Sequence, residues 1–199
     1  MAAPRRPLPP VKKIPQPAEL AEHDETPAVS PDRASLGSSG SAGAPGRSAV
    51  RPRPKKTPRG PARRFARERA LQALYQWDVA AAESSTVRRE FLERQDMSRV
   101  DVAYFERLFR GVSHDVEKVD AALAGALDRP LQEVDPIERA VLRVAAFELA
   151  EVLETPARVV ISEGVEITKR FGADNGHRYV NGVLDALATI LRPLEMRRG

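Results

Sequence analysis

None of the 199 residues is cysteine, which rules out disulfide staples, thiolate zinc sites and cysteine nucleophiles together. Histidine is almost as scarce: His23, His114 and His177 have no metal-ligand spacing among them. No apolar run approaches the roughly 18 residues needed to span a bilayer. The opening MAAPRRPLPPVKKIPQP is basic but has no apolar centre for a signal peptide, and Pro9, Pro10, Pro15 and Pro17 would break one. The cytoplasm is the expected location, with no membrane partner. Also missing are a glycine-rich phosphate loop and a nucleophile elbow. The acidic residues stand singly on amphipathic patterns, where a solvated face is their ordinary role. Neither catalysis nor a cofactor is expected.

Composition is uneven along the chain. Residues 1 to 61 hold 13 of the 17 prolines and 11 Lys/Arg against 5 Asp/Glu, a net of +6. Residues 62 to 199 hold 21 Lys/Arg against 23 Asp/Glu, a net of −2. The overall positive charge therefore belongs to the tail, and any nucleic-acid contact by the rest must be a local patch. The segment up to Pro61 is rich in Pro, Ser, Gly and Ala and poor in aromatic and branched apolar residues. It is expected to be a disordered, basic tail, because it cannot bury enough apolar surface to offset the entropy of ordering it. Its end, RPRPKKTPRGPARR, could serve only for solubility or could lengthen residence on RNA.

From Ala62 onward the apolar residues recur at helical spacing. A first helix is expected from Pro61 to Ala81, with Ala66, Ala70, Ala73, Leu74 and Trp77 on its core stripe and Arg64, Arg67 and Tyr75 together beside that stripe. Ser84, Ser85 or Thr86 should cap a second helix that turns Phe91 and Leu92 inward. A long third helix should run from Asp101 through Val102, Phe105, Leu108, Phe109, Val112, Val116, Val119 and Leu123, with a bend near Gly111. Asp128 to Asp135 reads as a connection. Asp135-Pro136-Ile137-Glu138 then gives an acidic cap, a proline at the first helical position and a glutamate at the third, followed by Val141, Leu142, Ala145, Leu149 and Val152. Thr155-Pro156 repeats the cap-proline signal for a helix to Phe171, ended by Gly172 in the left-handed conformation. A last helix from Asp174 or Asn175 to Leu191 should bury Val180, Val183, Leu184, Leu187 and Ile190, with Pro193 closing it. Val159-Val160-Ile161 is the only strand-like run. The expected fold is an all-α, compact bundle of about seven helices in two packed subdomains, about 62–127 and 135–192, with a disordered N-terminal tail and a short C-terminal tail over 193–199.

Two clusters carry candidate binding chemistry. At the start of the first helix, Arg63, Arg64 and Arg67 could hold phosphates, and Tyr75 could stack on an unpaired base. Arginines there run against the helix dipole, a broken local rule that points to function. The second cluster is FGADNGHRYVNG, Phe171 to Gly182, where a helix stop and a helix start gather Asn175, His177, Arg178 and Tyr179. By physics alone, each cluster is equally readable as a capped helix end with its ring packed inward.

The segments RRFARERALQALYQWD, FLERQDMSRVDVAYFERLFRGV, LDRPLQEVDPIERAVLRVAAFEL and VVISEGVEITKRFGADNGHRYVNGVLD resemble, in order and spacing, the bacterial NusB family of transcription antitermination factors. The resemblance covers Ala62 to Leu191. It implies an all-α protein that binds single-stranded boxA RNA of ribosomal RNA leader transcripts together with the ribosomal protein NusE, within an antitermination complex on RNA polymerase. The RNA-binding positions it implies are Arg63, Arg64, Arg67, Tyr75, Asn175, His177, Arg178 and Tyr179. Its partner-binding positions are Glu133 and Glu138. Asn175 stands where many relatives have an acidic residue, which implies RNA binding as tight or tighter. The resemblance fits a monomer or a homodimer, and a dimer would cover the arginine surface. Two rival readings are a helical protein-interaction module without RNA binding, and the RNA-binding accessory domain of a ribosomal RNA methyltransferase. The second would need a catalytic domain and a cysteine, and the chain has neither.

Overall fold

The computed structural model of the chain describes residues 59 to 197. The tail expected to be disordered lies, through residue 58, outside the described residues, while Arg59 to Pro61 at its end already belong to the first helix. The described residues form eight α-helices, one 3₁₀ turn and no strand. They are α1 (Arg59–Ala80), α2 (Ser84–Arg94), α3 (Val102–His114), α4 (Val116–Ala124), α5 (Pro136–Glu151), α6 (Ala157–Phe171), α7 (Gly176–Leu191) and α8 (Pro193–Met196), with the 3₁₀ turn at Leu131–Glu133. The all-α expectation holds, and the strand-like run Val159-Val160-Ile161 is helical.

Along α1, Ala66, Ala70, Ala73 and Leu74 are buried, and small side chains at these positions let neighbouring helices approach closely. Trp77, expected on the same stripe, is only half-buried. The cap of α2 is Glu83 rather than Ser84, Ser85 or Thr86, and it acts through its backbone: its carbonyl accepts from the Thr86 and Val87 N–H groups at 3.0 and 3.1 Å. Phe91 is buried and stacks on Phe105, which stacks on Phe109, with ring centroids 6.1 Å apart in each pair. Leu92 stays half-buried, and Val102, at the start of α3, is exposed.

The long third helix is two helices. The break falls at Asp115, whose backbone leaves the helical region at φ −139° and ψ 58° and whose carboxylate accepts from Lys118 N–H at 3.3 Å to start α4. Gly111 therefore marks no bend. A Cβ there would lie 2.2 Å from the Phe147 ring, so the glycine is a notch that lets α5 sit against α3.

The central element is α5. It packs against α1, α3, α4, α6 and α7, which joins the two expected halves through one core. Its start follows the sequence signal: Asp135 accepts from Ile137 N–H at 2.9 Å and Pro136 occupies the first turn. Ile137, Val141, Leu142, Ala145, Leu149 and Val152 are all buried.

The second cap-proline signal is used differently. Thr155 makes no side-chain cap for α6. The Ala157 N–H donates instead to the Glu195 carboxylate of α8 at 2.8 Å. Gly172 is not left-handed; it is extended at φ −81° and ψ 179°, and a Cβ there would lie 2.8 Å from the Thr168 carbonyl. The left-handed residue of this turn is Asn175, at φ 67°. Ile190, expected in the core, is 57% exposed, and Pro193 opens α8 rather than a tail.

Arg192, just before α8, is buried. Its guanidinium donates to the carbonyls of Glu148 at 2.8 Å, Leu149 at 2.8 Å, Val152 at 3.0 Å and Thr155 at 2.6 Å. The last carbonyls of a helix have no partners within it, so this one side chain closes the C-terminal end of α5. Replacing Arg192 with methionine should lower the unfolding free energy by at least ~3 kcal/mol, because several buried carbonyls lose their donors together. Urea denaturation would measure it, and the exposed Arg197→Ala should change stability by less than ~0.5 kcal/mol.

Candidate nucleic-acid interface

The three arginines of α1 have three different fates. Arg67 is 4% exposed and Glu148 of α5 is 1% exposed. The pair is bidentate, with Nε and Nη2 of Arg67 donating to the two Glu148 carboxylate oxygens at 2.8 Å each. The Tyr104 hydroxyl donates to the same carboxylate and receives Arg67 Nη2 at 3.3 Å. Burial alone would lower the Arg67 pKa, but the hydrogen bond and charge of Glu148 outweigh it and hold the pKa above its ordinary value. Burial and then the Glu148 carboxylate push the Tyr104 hydroxyl up to about 12. Arg67 is therefore interior structure and is not presented to RNA, which corrects the sequence-based expectation.

Arg63 lies part-way out. Its guanidinium covers the Tyr104 ring at 4.4 Å and donates to the Thr155 hydroxyl at 3.5 Å, with Glu154 at 3.8 Å. Arg64 is exposed and pairs with Glu163 of α6 at 3.2 Å, a surface contact of small energetic worth. One turn further along α1, Glu68 receives Arg170 of α6 at 3.0 and 3.1 Å. Burial raises the Glu68 pKa despite that arginine.

Tyr75 is half-buried and lies three turns beyond Arg64 on the same side of α1, about 16 Å along its axis. It precedes Asp78 by less than a turn. Arg139 Nη2 of α5 donates to that aspartate at 2.7 Å, so Tyr75 sits at the end of the bundle where α5 begins. The start of α7 is at the same end, because the Glu138 carboxylate of α5 occupies the space where a Cβ on Gly176 would fall, 2.0 Å away. Glu138 is thus 8% exposed and faces α7, which removes it from the expected partner surface. Burial first, and then the Asp135 charge, raise its pKa. Glu133 is exposed on the 3₁₀ turn.

Asn175 adopts the left-handed conformation that asparagine tolerates better than most residues, and it lies exposed just before α7. His177 is half-buried and turns towards α6: Lys169 first, and then Arg64 and His177, hold the Glu166 carboxyl below its ordinary range. Arg64 and His177 therefore share the α6 side of the bundle. Arg178 is exposed. Tyr179 turns the other way, and its ring is covered by the Arg129 guanidinium at 4.9 Å. Its hydroxyl is buried without a hydrogen-bond partner, and burial and then the Asp128 charge raise its pKa.

The structure brings together more than the sequence marked. Arg129 had no local signal, being one basic residue in a polar connection. Phe65, which lies under Arg99 at 4.5 Å, did have one, since it is an aromatic residue embedded in an arginine run.

Fold and surface define a class: an all-α bundle that carries a local cationic and aromatic face on a slightly acidic body. Among the described residues no group of acidic and histidine side chains is arranged to hold a metal ion, and no helix is long and apolar enough to cross a membrane. The NusB family model matches residues 64–189, and the chain belongs to the NusB family.

The transcription antitermination protein NusB of Idiomarina loihiensis is 49% identical over 132 residues, which is 66% of this chain and 95% of that protein. That of Halorhodospira halophila is 46% identical over 140 residues, 70% of this chain and 90% of that protein. Among solved structures, NusB of T. maritima superposes with a TM-score of 0.60 at 28% identity, over 69% of this chain and 97% of that one. A complex of NusB and NusE with double-stranded RNA shows the same fold, with a TM-score of 0.53 at 24% identity over 65% of this chain and 97% of that one.

Two outcomes separate the interior from the face. Arg67→Ala should cost about 3 to 5 kcal/mol in urea unfolding, because Glu148 is left buried without its partner, whereas Arg64→Ala should cost less than ~1 kcal/mol. Glu138 has a raised pKa in the folded state, so the fold binds more protons than the unfolded chain and loses stability as pH rises through that pKa. Glu138→Gln should therefore raise Tm at neutral pH, and the gain should vanish once the pH falls below the ordinary carboxylate range.

Proposed function

We propose that the chain is a non-catalytic transcription antitermination factor that binds single-stranded boxA RNA of ribosomal RNA leader transcripts together with the ribosomal protein NusE. It acts in the cytoplasm, within the antitermination complex on RNA polymerase. Family membership supports this reading, and the observation that carries it at the level of residues is the placement of Arg64 and His177 on the α6 side of the bundle. Arg63, Arg64 and Arg178 anchor phosphates. Tyr75 and Tyr179 contact bases, with Asn175 and His177 beside them at the start of α7. Arg67 contributes indirectly, because its pair with Glu148 and Tyr104 fixes the start of α1 and the ring on which Arg63 rests. Glu133 is the residue retained for the protein partner, since it is the exposed one of the two acids assigned to that role.

An exposed Arg64 already paired with Glu163 suits phosphate capture. The pair contributes little on its own, and exchanging the carboxylate for a phosphate leaves the guanidinium bidentate-capable. The test is polarisation titration of a boxA-like RNA with and without NusE at several salt concentrations. The double variant Arg64→Ala/Arg178→Ala should bind more weakly and reduce the slope of log K against log salt by about 2, roughly one for each lost phosphate contact. Unchanged affinity and slope in a folded variant would remove both arginines from the interface, and the absence of any NusE enhancement would favour a module that binds only protein.

A further inference from the structure

A cleft of about 480 Å³ opens where the start of α1, the α2–α3 connection and the start of α6 meet. One wall is the ring of Phe65, half-buried and covered by the Arg99 guanidinium at 4.5 Å. Val159 of α6, apolar and 42% exposed, also lines it. Arg63 and Arg64 stand at its rim. The acids there are Glu154 and Glu163, and each is already engaged by arginine: Glu154 by Arg107 at 2.6 Å and Glu163 by Arg64 at 3.2 Å. The cleft thus combines a planar aromatic and guanidinium wall, an apolar patch and cationic groups within reach of its mouth. That combination matches an unpaired nucleotide, whose base has two apolar faces and whose phosphate carries the charge.

We propose that this cleft holds one unstacked nucleotide of the bound RNA, with its base against Phe65 and its phosphate at Arg64. The inference rests on the RNA-binding reading above and adds a base contact at the end of the face opposite to Tyr75 and Tyr179. Arg99 either closes over the base or swings aside to let the base take its place on the ring; in both arrangements Phe65 supplies the stacking surface. The face then has an aromatic contact at each end, with α1 as the spacer between them. Such a layout selects an extended single strand over a compact hairpin.

The experiment pairs a protein substitution with removal of a base. Polarisation would measure binding of a boxA-like RNA, in the presence of NusE, to the full chain and to Phe65→Ala and Phe65→Trp. Each would be titrated with the intact RNA and with a series in which one nucleotide at a time is abasic. Phe65→Ala should weaken binding of intact RNA about tenfold without changing the salt slope, because the ring touches no phosphate. At one position of the RNA the abasic penalty seen with the unaltered chain should disappear in Phe65→Ala and persist in Phe65→Trp. A folded Phe65→Ala that binds intact RNA as tightly as the unaltered chain would overturn the proposal, as would an abasic penalty profile identical in all three proteins. Those results would leave the wider RNA-binding reading in place. Failure of the unaltered chain to bind RNA at any salt concentration, with NusE present, would overturn both.

Discussion

The bidentate pair between Arg67 and Glu148 is the contact on which the rest of the arrangement depends. It joins α1 to α5 across 81 positions of sequence, and both groups are almost fully out of water. A charge pair so deeply buried recovers little net stability over an apolar pair of the same size, because desolvation offsets most of the attraction. What it does supply is uniqueness. The planar guanidinium accepts one orientation of the carboxylate, and the Tyr104 hydroxyl fills a further acceptor site on that carboxylate. The rotation of α1 about its own axis is thereby set, and with it the direction in which Arg63, Arg64 and Tyr75 leave the helix.

From that fixed point the neighbouring contacts follow in sequence. Tyr104 carries Arg63 on its ring and lies 3.4 Å from the Thr155 hydroxyl. Thr155 in turn gives its carbonyl to Arg192. Arg192 closes the end of α5 and stands beside Glu195, which caps α6. Four helices are thus tied through one connected polar network at the end of the bundle where the arginine run begins. The network is buried and well partnered, a combination in which polar groups specify a single packing instead of weakening it.

Much of the helical layout was readable in the sequence, because it is written in short-range terms. Apolar spacing placed α1, α5, α6 and α7, and the Asp135-Pro136 start has the same meaning in any context. The break at Asp115 also had a local signal, an aspartate followed by glutamate two residues later, but the unbroken apolar period on both sides hid it. Thr155 and Arg192 were not legible for a different reason. Thr155-Pro156 looks locally like Asp135-Pro136, yet its hydroxyl is drawn to Arg63 and Tyr104, and the cap of α6 arrives from Glu195, 38 positions away. The same limit governs the site. Arg64 and Arg67 are three residues apart in one basic run and are equivalent by composition. A carboxylate far along the chain makes one a core residue and leaves the other on the surface. Glu138 is a parallel case: it carries the sequence mark of a helix start, but the absence of a side chain at Gly176 draws it inward.

The patch is best understood as a remainder. The folded part carries slightly more acid than base, so a positive face can arise only where arginines are left less completely neutralised than elsewhere. Arg67 is cancelled by Glu148, Arg170 by Glu68, Arg139 by Asp78 and Arg143 by Asp120. In each of these pairs at least one partner is well buried, so solvent screens the contact poorly and exchange with an incoming phosphate would be costly. The pair between Arg64 and Glu163 is of another kind, since Arg64 is nearly half exposed. Water already competes for it, so a phosphate can replace the carboxylate at little cost. The available arginines are therefore fixed by how deeply their partners are buried, not by how many arginines the chain contains. This is how a body with a net charge of −2 can present a local surface to a polyanion while repelling it elsewhere, which favours one register of a short single strand over diffuse binding along the whole bundle.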